Sequence, residues 1–210
     1  MTSLQHPAAG TSTNLRLYGR RVLLRPLMPT DFDAYREVRT RNADWLLQWE
    51  PSRLSLAADP IHDRGAFNSR CSLRDRERQA GAAYGLGLFV DNTFCGEVNL
   101  NNVQRGALQS GTVGYWVDQA FAGHAYVAEA VVVLARFAFE QLSLHRLEIC
   151  IIPRNHRSRR VMEKLEIRDE GIAQRFLEIN GVWEDHIRYG ITVEEWRARH
   201  DELSRAWLTT

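Results

Sequence analysis

Residues 117–130 read Val117-Asp-Gln-Ala-Phe-Ala-Gly-His-Ala-Tyr-Val-Ala-Glu-Ala130, which predicts a strand end, a turn of small residues and the start of a long helix. The backbone N–H groups of such a turn face one point together with the first four amides of the helix, which lack internal partners. The helix dipole favours a phosphate or pyrophosphate at that point. The small side chains of Gly123 and Ala125 leave these amides reachable. A tight connection without any ligand explains the turn equally well.

The segments around this turn predict one mixed α/β domain. Tyr126–Leu142 is apolar nearly all round, as in a helix buried between two layers. The Asn180-Gly181 pair is a strong signal for the turn of a hairpin that spans 173–191. The other predicted elements, in chain order, are a strand at 21–26, helices from 29 and within 53–78, a hairpin at 83–100, strands at 112–117 and 146–152, a helix at 155–165 and a helix from 192. We therefore predict a single domain over 15–210, preceded by a flexible polar tail at 1–14.

Composition and charge argue against several classes of protein. The 210 residues include 27 Lys and Arg against 26 Asp and Glu, a net charge of +1 that does not suit a protein seeking polyanions. No apolar run approaches the roughly 18–20 residues that span a bilayer, and the first residues lack the pattern of a secretory signal. Three widely spaced cysteines match neither a disulfide framework nor a metal site. We expect a cytoplasmic protein without metal, membrane attachment or direct nucleic-acid binding.

A second candidate anion site follows the predicted strand at 146–152. The segment Pro153–Arg160 opens the next helix and contains four arginines, at positions 154, 157, 159 and 160. A helix N-terminus rich in arginine, next to the first one, indicates a double anion site. A solvated basic helix face is the alternative that applies to most charge runs. Nucleic-acid binding is a third alternative, which the near-neutral charge and the lack of interleaved aromatic residues disfavour.

Two motifs in these segments carry a family resemblance. Ala122–Val127 matches a loop of the form Gln/Arg-x-x-Gly-x-Gly/Ala, with Ala122, Ala125 and Val127 departing from it. Asn155–Ile167 matches the pattern Asn-x-x-Ser-x-x-Val-x-x-Lys-Leu-Gly-Phe up to its last two residues. On these motifs the chain resembles the GNAT superfamily of acetyl-CoA-dependent N-acetyltransferases. Within it, the chain is similar to the RimJ/RimL branch, which acetylates protein N-termini, ribosomal proteins among them.

The resemblance implies a fold and a binding site for acetyl-CoA. The fold would be a central, mostly antiparallel sheet of about seven strands, splayed in the middle and flanked by helices. The pantetheine arm would lie in the gap and pair with backbone groups, the loop amides would hold the pyrophosphate, and nearby arginines would meet the nucleotide phosphates. The residues expected to contact acetyl-CoA are Trp116, Val117, Ala122, Gly123, His124, Ala125, Tyr126, Val127, Asn155 and Arg159.

The same resemblance indicates candidate catalytic residues. Ser158 matches the serine that donates a proton to the leaving thiolate, although an ordinary serine in the first turn of a helix explains it equally well. Glu97 is the first candidate for a base, and Glu178 lies one residue from the expected position of a RimL-type base. Glu148 and Asp185 are further candidates. A solvent-facing strand residue is the alternative for each of these carboxylates.

These observations predict direct acetyl transfer from acetyl-CoA to a primary amine, without an acyl-enzyme. The favoured acceptor is the α-amine of a protein N-terminus, with association with the ribosome as a corollary. A small-molecule amine such as a polyamine, an amino sugar or an antibiotic is the alternative, and a non-catalytic CoA-binding regulatory module is a third. An open groove beside Trp183–His186 would suit a peptide, and a closed pocket a small molecule. The sequence leaves open whether the protein is a monomer or a homodimer.

Overall fold

A computed structural model describes residues 15–51 and 58–208, and in them eight strands form one sheet. The predicted tail at 1–14 lies outside the described residues. Six helices flank this sheet within the described ranges. The strands are β1 (Leu17–Tyr18), β2 (Val22–Arg25), β3 (Tyr84–Val90), β4 (Thr93–Gln104), β5 (Ser110–Val117), β6 (Arg146–Ile151), β7 (Arg168–Ile179) and β8 (Val182–Thr192). The helices are α1 (Phe32–Arg41), α2 (Ala43–Leu47), α3 (Arg64–Gln79), α4 (Tyr126–Arg136), α5 (His156–Leu165) and α6 (Val193–Trp207).

The sheet has the order β1-β2-β3-β4-β5-β6-β8-β7 and confirms the mixed, mostly antiparallel architecture. About seven strands were expected. The additional one is β1, whose two residues pair with β2 and are too few to give a periodic signal. Only β5 and β6 run parallel, and they pair from Ser110 with Arg146 to Thr112 with Glu148. Beyond those three pairs the two strands diverge, so the expected splay is present.

Helix α4 forms the centre of the core on one face of the sheet. Every residue from Val127 to Ala135 is buried, as the apolar pattern around the whole helix predicts. Full burial of one valine side chain contributes about 1.5–3 kcal/mol. The predicted helix extends to Leu142, but its last turn, Phe137–Gln141, has π-helical geometry. Because α4 packs on β2, β4 and β5, its N-terminus is held at the gap between β5 and β6.

The other face of the sheet is covered by α1 and α3 around a smaller aromatic cluster. Phe32 and Tyr35 of α1 meet Phe67 of α3, with ring centroids 5.5 and 4.9 Å apart. Trp116 of β5 packs against this cluster from the side of the gap. The first half of the sheet, from β2 to β5, is therefore covered on both faces.

A buried carboxylate fixes α2 across the end of β5. Asp118, 1% exposed, directly follows β5 and accepts hydrogen bonds from Arg41 and Asn42 at the junction of α1 and α2. Asn42 accepts in turn from the backbone N–H of Gln119. Burial alone would raise the pKa of Asp118, but the hydrogen bonds from Arg41 and Asn42 outweigh it and lower that pKa. The chain is thereby fastened at the point where the loop 119–125 begins.

The closing hairpin has the predicted turn. Asn180 and Gly181 both have positive φ, +47° and +80°, as a tight two-residue hairpin turn requires. The backbone N–H of Asn180 donates to the carbonyl of Glu50, just after α2 (3.0 Å). Helix α2 therefore runs from the end of β5 towards this hairpin turn. No helix in the described residues is long and apolar enough to cross a membrane.

Candidate active site

A cleft of about 610 Å³ opens where β5 and β6 diverge. Its first end is formed by the loop before α4, its middle by Tyr115 and Ser158, and its other end by Trp45 and Trp49 around α2. The cleft is not an enclosed cavity but is open to solvent. The predicted anion site and the predicted catalytic serine are thus brought into one continuous groove.

The loop before α4 presents backbone amides to this cleft. Gly123 has φ +85°, and an added Cβ would find no atom within 4 Å, so the space beside it is open. Ala125 precedes α4 in the left-handed region, at φ +64°, and α4 has no side-chain cap. Three other helices do have one, from Asp63 (α3), Asn155 (α5) and Thr192 (α6). The first amides of α4 remain available, which fits an anion such as a pyrophosphate.

An ion pair with a buried carboxylate braces this loop from behind. Glu129 in the first turn of α4 is 1% exposed and pairs with Arg21 at 2.8 Å. Arg21 also donates to the carbonyl of His124 (3.2 Å) and lies 4.8 Å from the ring centroid of Tyr126. The predicted loop residues line the cleft except His124, whose side chain is exposed. A single acid inside an otherwise apolar helix is the sequence signal that could have indicated Glu129.

Ser158 and Tyr115 form a hydroxyl pair in the middle of the cleft. Their side-chain oxygens are 2.8 Å apart, and the backbone N–H of Ser158 donates to Oδ1 of Asn155 (3.1 Å). Burial raises the pKa of Tyr115, which outweighs the opposing effect of its bond to Ser158, so the phenol stays protonated. Such a pair can donate a proton to a leaving thiolate. The sequence patterns indicate Ser158 but give Tyr115 only the role of an aromatic wall.

The arginine-rich segment contributes a basic wall. Arg157, Arg160 and Lys164 of α5 line the cleft, and the guanidinium of Arg157 lies 4.4 Å from the ring centroid of Trp45. Arg159 was expected among the residues that contact acetyl-CoA. It instead donates to the carbonyl of Pro153 (3.2 Å), and it does not line the cleft. The cations that α5 presents to the cleft are therefore the neighbours of Arg159, and their contact with phosphates stays a prediction.

Comparison with known proteins identifies the family. The model of the acetyltransferase (GNAT) domain matches residues 21–168, more than two thirds of the chain. The chain belongs to the GNAT acetyltransferase family. Among curated proteins it is 36% identical to "Probable N-acetyltransferase YjcK" of Bacillus subtilis, over 81% of this chain and 93% of that one. It is 28% identical to the [ribosomal protein uS5]-alanine N-acetyltransferase of Escherichia coli, over 79% and 86%.

A solved structure agrees with this assignment. Mycobacterium smegmatis RimJ in complex with CoA-disulfide is 30% identical, covers 91% of this chain and 92% of its own, and superposes with a TM-score of 0.81. The protein is thus a GNAT acetyl-CoA-dependent N-acetyltransferase related to the ribosomal-protein acetyltransferases. Its acetyl donor is acetyl-CoA.

The backbone at the end of β5 is already partly engaged. The carbonyl of Val117 accepts a hydrogen bond from the indole of Trp45 (3.1 Å). The carbonyl of Trp116 lies against Gly96, where an added Cβ would come within 2.2 Å of its oxygen. A carbonyl oxygen has two lone pairs, so Val117 can accept a second bond. The contact of Trp116 and Val117 with pantetheine stays a prediction.

Neither favoured carboxylate reaches the hydroxyl pair of this GNAT enzyme. Glu97, 4% exposed, accepts from Arg70 (2.7 and 2.8 Å) and from the indole of Trp116 (2.9 Å). Burial alone would raise the pKa of Glu97, but the charge and hydrogen bonds of Arg70 outweigh it and lower that pKa. Glu178 is an exposed residue of the edge strand β7. Neither side chain lines the cleft, so the structure gives no contact between these carboxylates and the place of reaction.

The two further candidates are also occupied elsewhere. Glu148 pairs with Arg146 and Arg188 at 2.9 Å, and Asp185 accepts from the backbone N–H of Arg175 (2.8 Å). Within the residues described, no three His, Cys, Asp or Glu side chains are grouped in a way that could hold a metal ion.

Proposed function

We propose that this acetyltransferase acts on the α-amine of a protein N-terminus. The observation that carries the proposal is a cleft that is open to solvent and continues past Tyr115 and Ser158 to Trp45 and Trp49 around α2. A peptide end can enter there while the rest of its protein stays outside. The sequence relationship to a ribosomal-protein-alanine N-acetyltransferase supports the same acceptor class.

The chemistry requires little from the protein beyond positioning and a proton donor. A protein α-amine has a pKa of about 8, so roughly a tenth of it is neutral at pH 7 without any base. Acetyl-CoA supplies the thioester whose carbonyl carbon the amine attacks, and the C–S bond then breaks. The attacking nitrogen loses one proton to solvent as the amide forms. The hydroxyl pair donates a proton to the leaving sulfur through Ser158 or Tyr115, and solvent replaces the donated proton.

The first experiment tests the acetyl-CoA site by calorimetric titration. Ala122 lines the cleft and has φ −70°, so a longer side chain there meets no backbone strain. We expect Ala122→Glu to weaken acetyl-CoA binding by at least about tenfold, because a carboxylate next to the amides repels the pyrophosphate. Ala122→Gln, of equal size and no charge, is the control and should bind within about threefold of wild type. Equal binding of all three proteins would place the pyrophosphate elsewhere.

The second step compares acceptors at saturating acetyl-CoA. A peptide beginning with alanine should have the highest kcat/KM, the same peptide with a blocked amine should give no product, and spermidine and glucosamine should be poorer acceptors. A higher kcat/KM for either small amine would overturn the proposal in favour of a small-molecule enzyme. Tight acetyl-CoA binding without turnover on any of the amines would favour the non-catalytic CoA-binding module.

A further inference from the structure

One carboxylate faces the cleft from a part of the chain that no motif singles out. Among the described residues that line the cleft, Glu50 is the only acid, whereas the cations Arg157, Arg160 and Lys164 all lie on α5. Glu50 follows α2, and its carbonyl accepts the N–H of Asn180. It therefore sits near the hairpin turn, while the loop that fits pyrophosphate is at the opposite end of α2.

Glu50 is held in place by a buried arginine. Arg39 of α1 donates from both terminal nitrogens to both carboxylate oxygens of Glu50, at 2.5 and 2.6 Å. The side chain of Arg39 is 5% exposed and that of Glu50 is 26% exposed. A molecule in the cleft thus meets the carboxylate and not the guanidinium. A carboxylate has about four lone-pair sites, so two remain after the bidentate pair has formed.

The pair continues inward to the buried carboxylate of Glu97. The guanidinium of Arg39 lies 5.0 Å from the ring centroid of Trp116, whose indole donates to Glu97. Glu97 is in turn paired with Arg70. Charges of alternating sign therefore extend from Arg70 of α3 to Glu50 in the cleft. This arrangement places Arg39 directly behind Glu50.

We infer that Glu50 binds and orients the amine of the acceptor, with Arg39 as its positioning residue. The inference rests on the proposed function, since it names the residue that meets the acceptor at the same site. A carboxylate accepts an N–H bond from the arriving ammonium and from the neutral amine that attacks. An unpaired carboxylate would hold the ammonium in its protonated, unreactive form. The positive charge of Arg39 moderates this effect, so the amine can be oriented and still lose its proton.

The test measures how much more tightly the protein binds a peptide with an N-terminal amine than the same peptide with a neutral group in place of that amine. An alanine-starting peptide and its des-amino analogue are titrated calorimetrically into the protein saturated with CoA. We expect wild type to prefer the amine by at least about tenfold, the range of a hydrogen bond to a charged group. In Glu50→Gln this preference should fall to less than about threefold, and the KM of the peptide should rise about tenfold while the KM of acetyl-CoA stays within about twofold.

Two further variants separate recognition from folding. Removing the charge of Glu50 leaves that of Arg39 buried, so Arg39→Gln combined with Glu50→Gln removes both charges together and should also lose the preference. Glu202→Gln removes a carboxylate of α6 that is paired with Arg199 and does not line the cleft, and it should keep the preference. A lower affinity for both peptides alike in the Glu50 variants would indicate a purely structural role and overturn the inference.

The outcomes distinguish this inference from the proposed function. Wild type that binds both peptides equally, or binds neither, overturns the assignment of Glu50. Retention of the wild-type preference in Glu50→Gln overturns it as well. A peptide that binds with an amine preference but is not acetylated contradicts the proposed function alone, because the preference is a property of binding.

Discussion

Strands β4 and β7 are both twelve residues long, and each pairs a glutamate with a tryptophan on the next strand. In β4 the pair is Glu97 with Trp116, and in β7 it is Glu178 with Trp183. In the first pair Glu97 is buried and accepts hydrogen bonds from Trp116 and from Arg70. The second is at the edge of the sheet, where Trp183 is 61% exposed. Identical residue types therefore have different physical roles, which their place in the sheet determines.

The difference explains why neither glutamate faces the cleft. A central strand between β3 and β5 has both faces covered, so a carboxylate there has to be neutralised by a partner such as Arg70. On the edge strand, Glu178 is exposed to water and needs no such partner. The acid that lines the cleft is Glu50, which lies just after α2 and belongs to neither strand. Strand membership alone is thus a poor guide to a catalytic carboxylate in this fold.

The largest expected difference in stability is between the variants that neutralise Glu97 and Glu178. Glu97→Gln leaves the charge of Arg70 buried without its partner, and we expect a loss of about 3–5 kcal/mol in the free energy of unfolding. Glu178→Gln is the matched control and should change it by less than about 0.5 kcal/mol. Urea denaturation at pH 7 measures both. A loss under 1 kcal/mol for Glu97→Gln would mean that its ion pair is not buried in solution.

The loss of stability caused by Glu97→Gln should depend on pH in a direction that the pKa of Glu97 determines. Burial would raise the pKa of Glu97, but Arg70 outweighs it, with a smaller contribution from Arg74, so the folded pKa lies below the ordinary value near 4.5. Glu97 therefore stabilises the folded state above that ordinary value, and the stabilisation is lost as the pH falls through the folded pKa. The difference between wild type and Glu97→Gln should shrink between pH 5 and pH 3. A difference that grows in acid would contradict the lowered pKa.

The parts of the fold that could be predicted from sequence are those with local signals. The helix from Tyr126 and the turn at Asn180-Gly181 follow from patterns within a few residues of one another. The site depends on long-range pairs: Tyr115 and Ser158 are 43 positions apart, and such a contact leaves no periodicity in the sequence. Glu50 has no motif either, because its role depends on where α2 ends. The loop, with its small residues, is the part of the site that a local pattern indicates.

A smaller difference in stability is expected between variants of the two paired tryptophans, Trp116 and Trp183. Trp116→Phe removes the indole N–H that Glu97 accepts in a buried place, and we expect a loss of about 1–3 kcal/mol. Trp183→Phe keeps a large apolar side chain at an exposed position and should cost less than about 0.5 kcal/mol. Thermal and urea unfolding of the two variants provide the comparison. Equal losses would show that the edge pair is as well ordered as the central one.

The smallest expected effect concerns the backbone of the edge strand. Gly171 lies where the register of β7 against β8 shifts, at φ +95°, and its N–H donates to Asp169 (2.8 Å). An added Cβ would meet no atom within 4 Å, so any cost of Gly171→Ala comes from the backbone conformation alone. We expect a loss of about 1 kcal/mol in the free energy of unfolding. Ile172→Ala, which shortens an exposed side chain at the next position, should cost less. A larger loss in the free energy of unfolding for Ile172→Ala than for Gly171→Ala would contradict the exposure of Ile172 in the structure. In solution β7 would then be packed on its outer face, as β4 is.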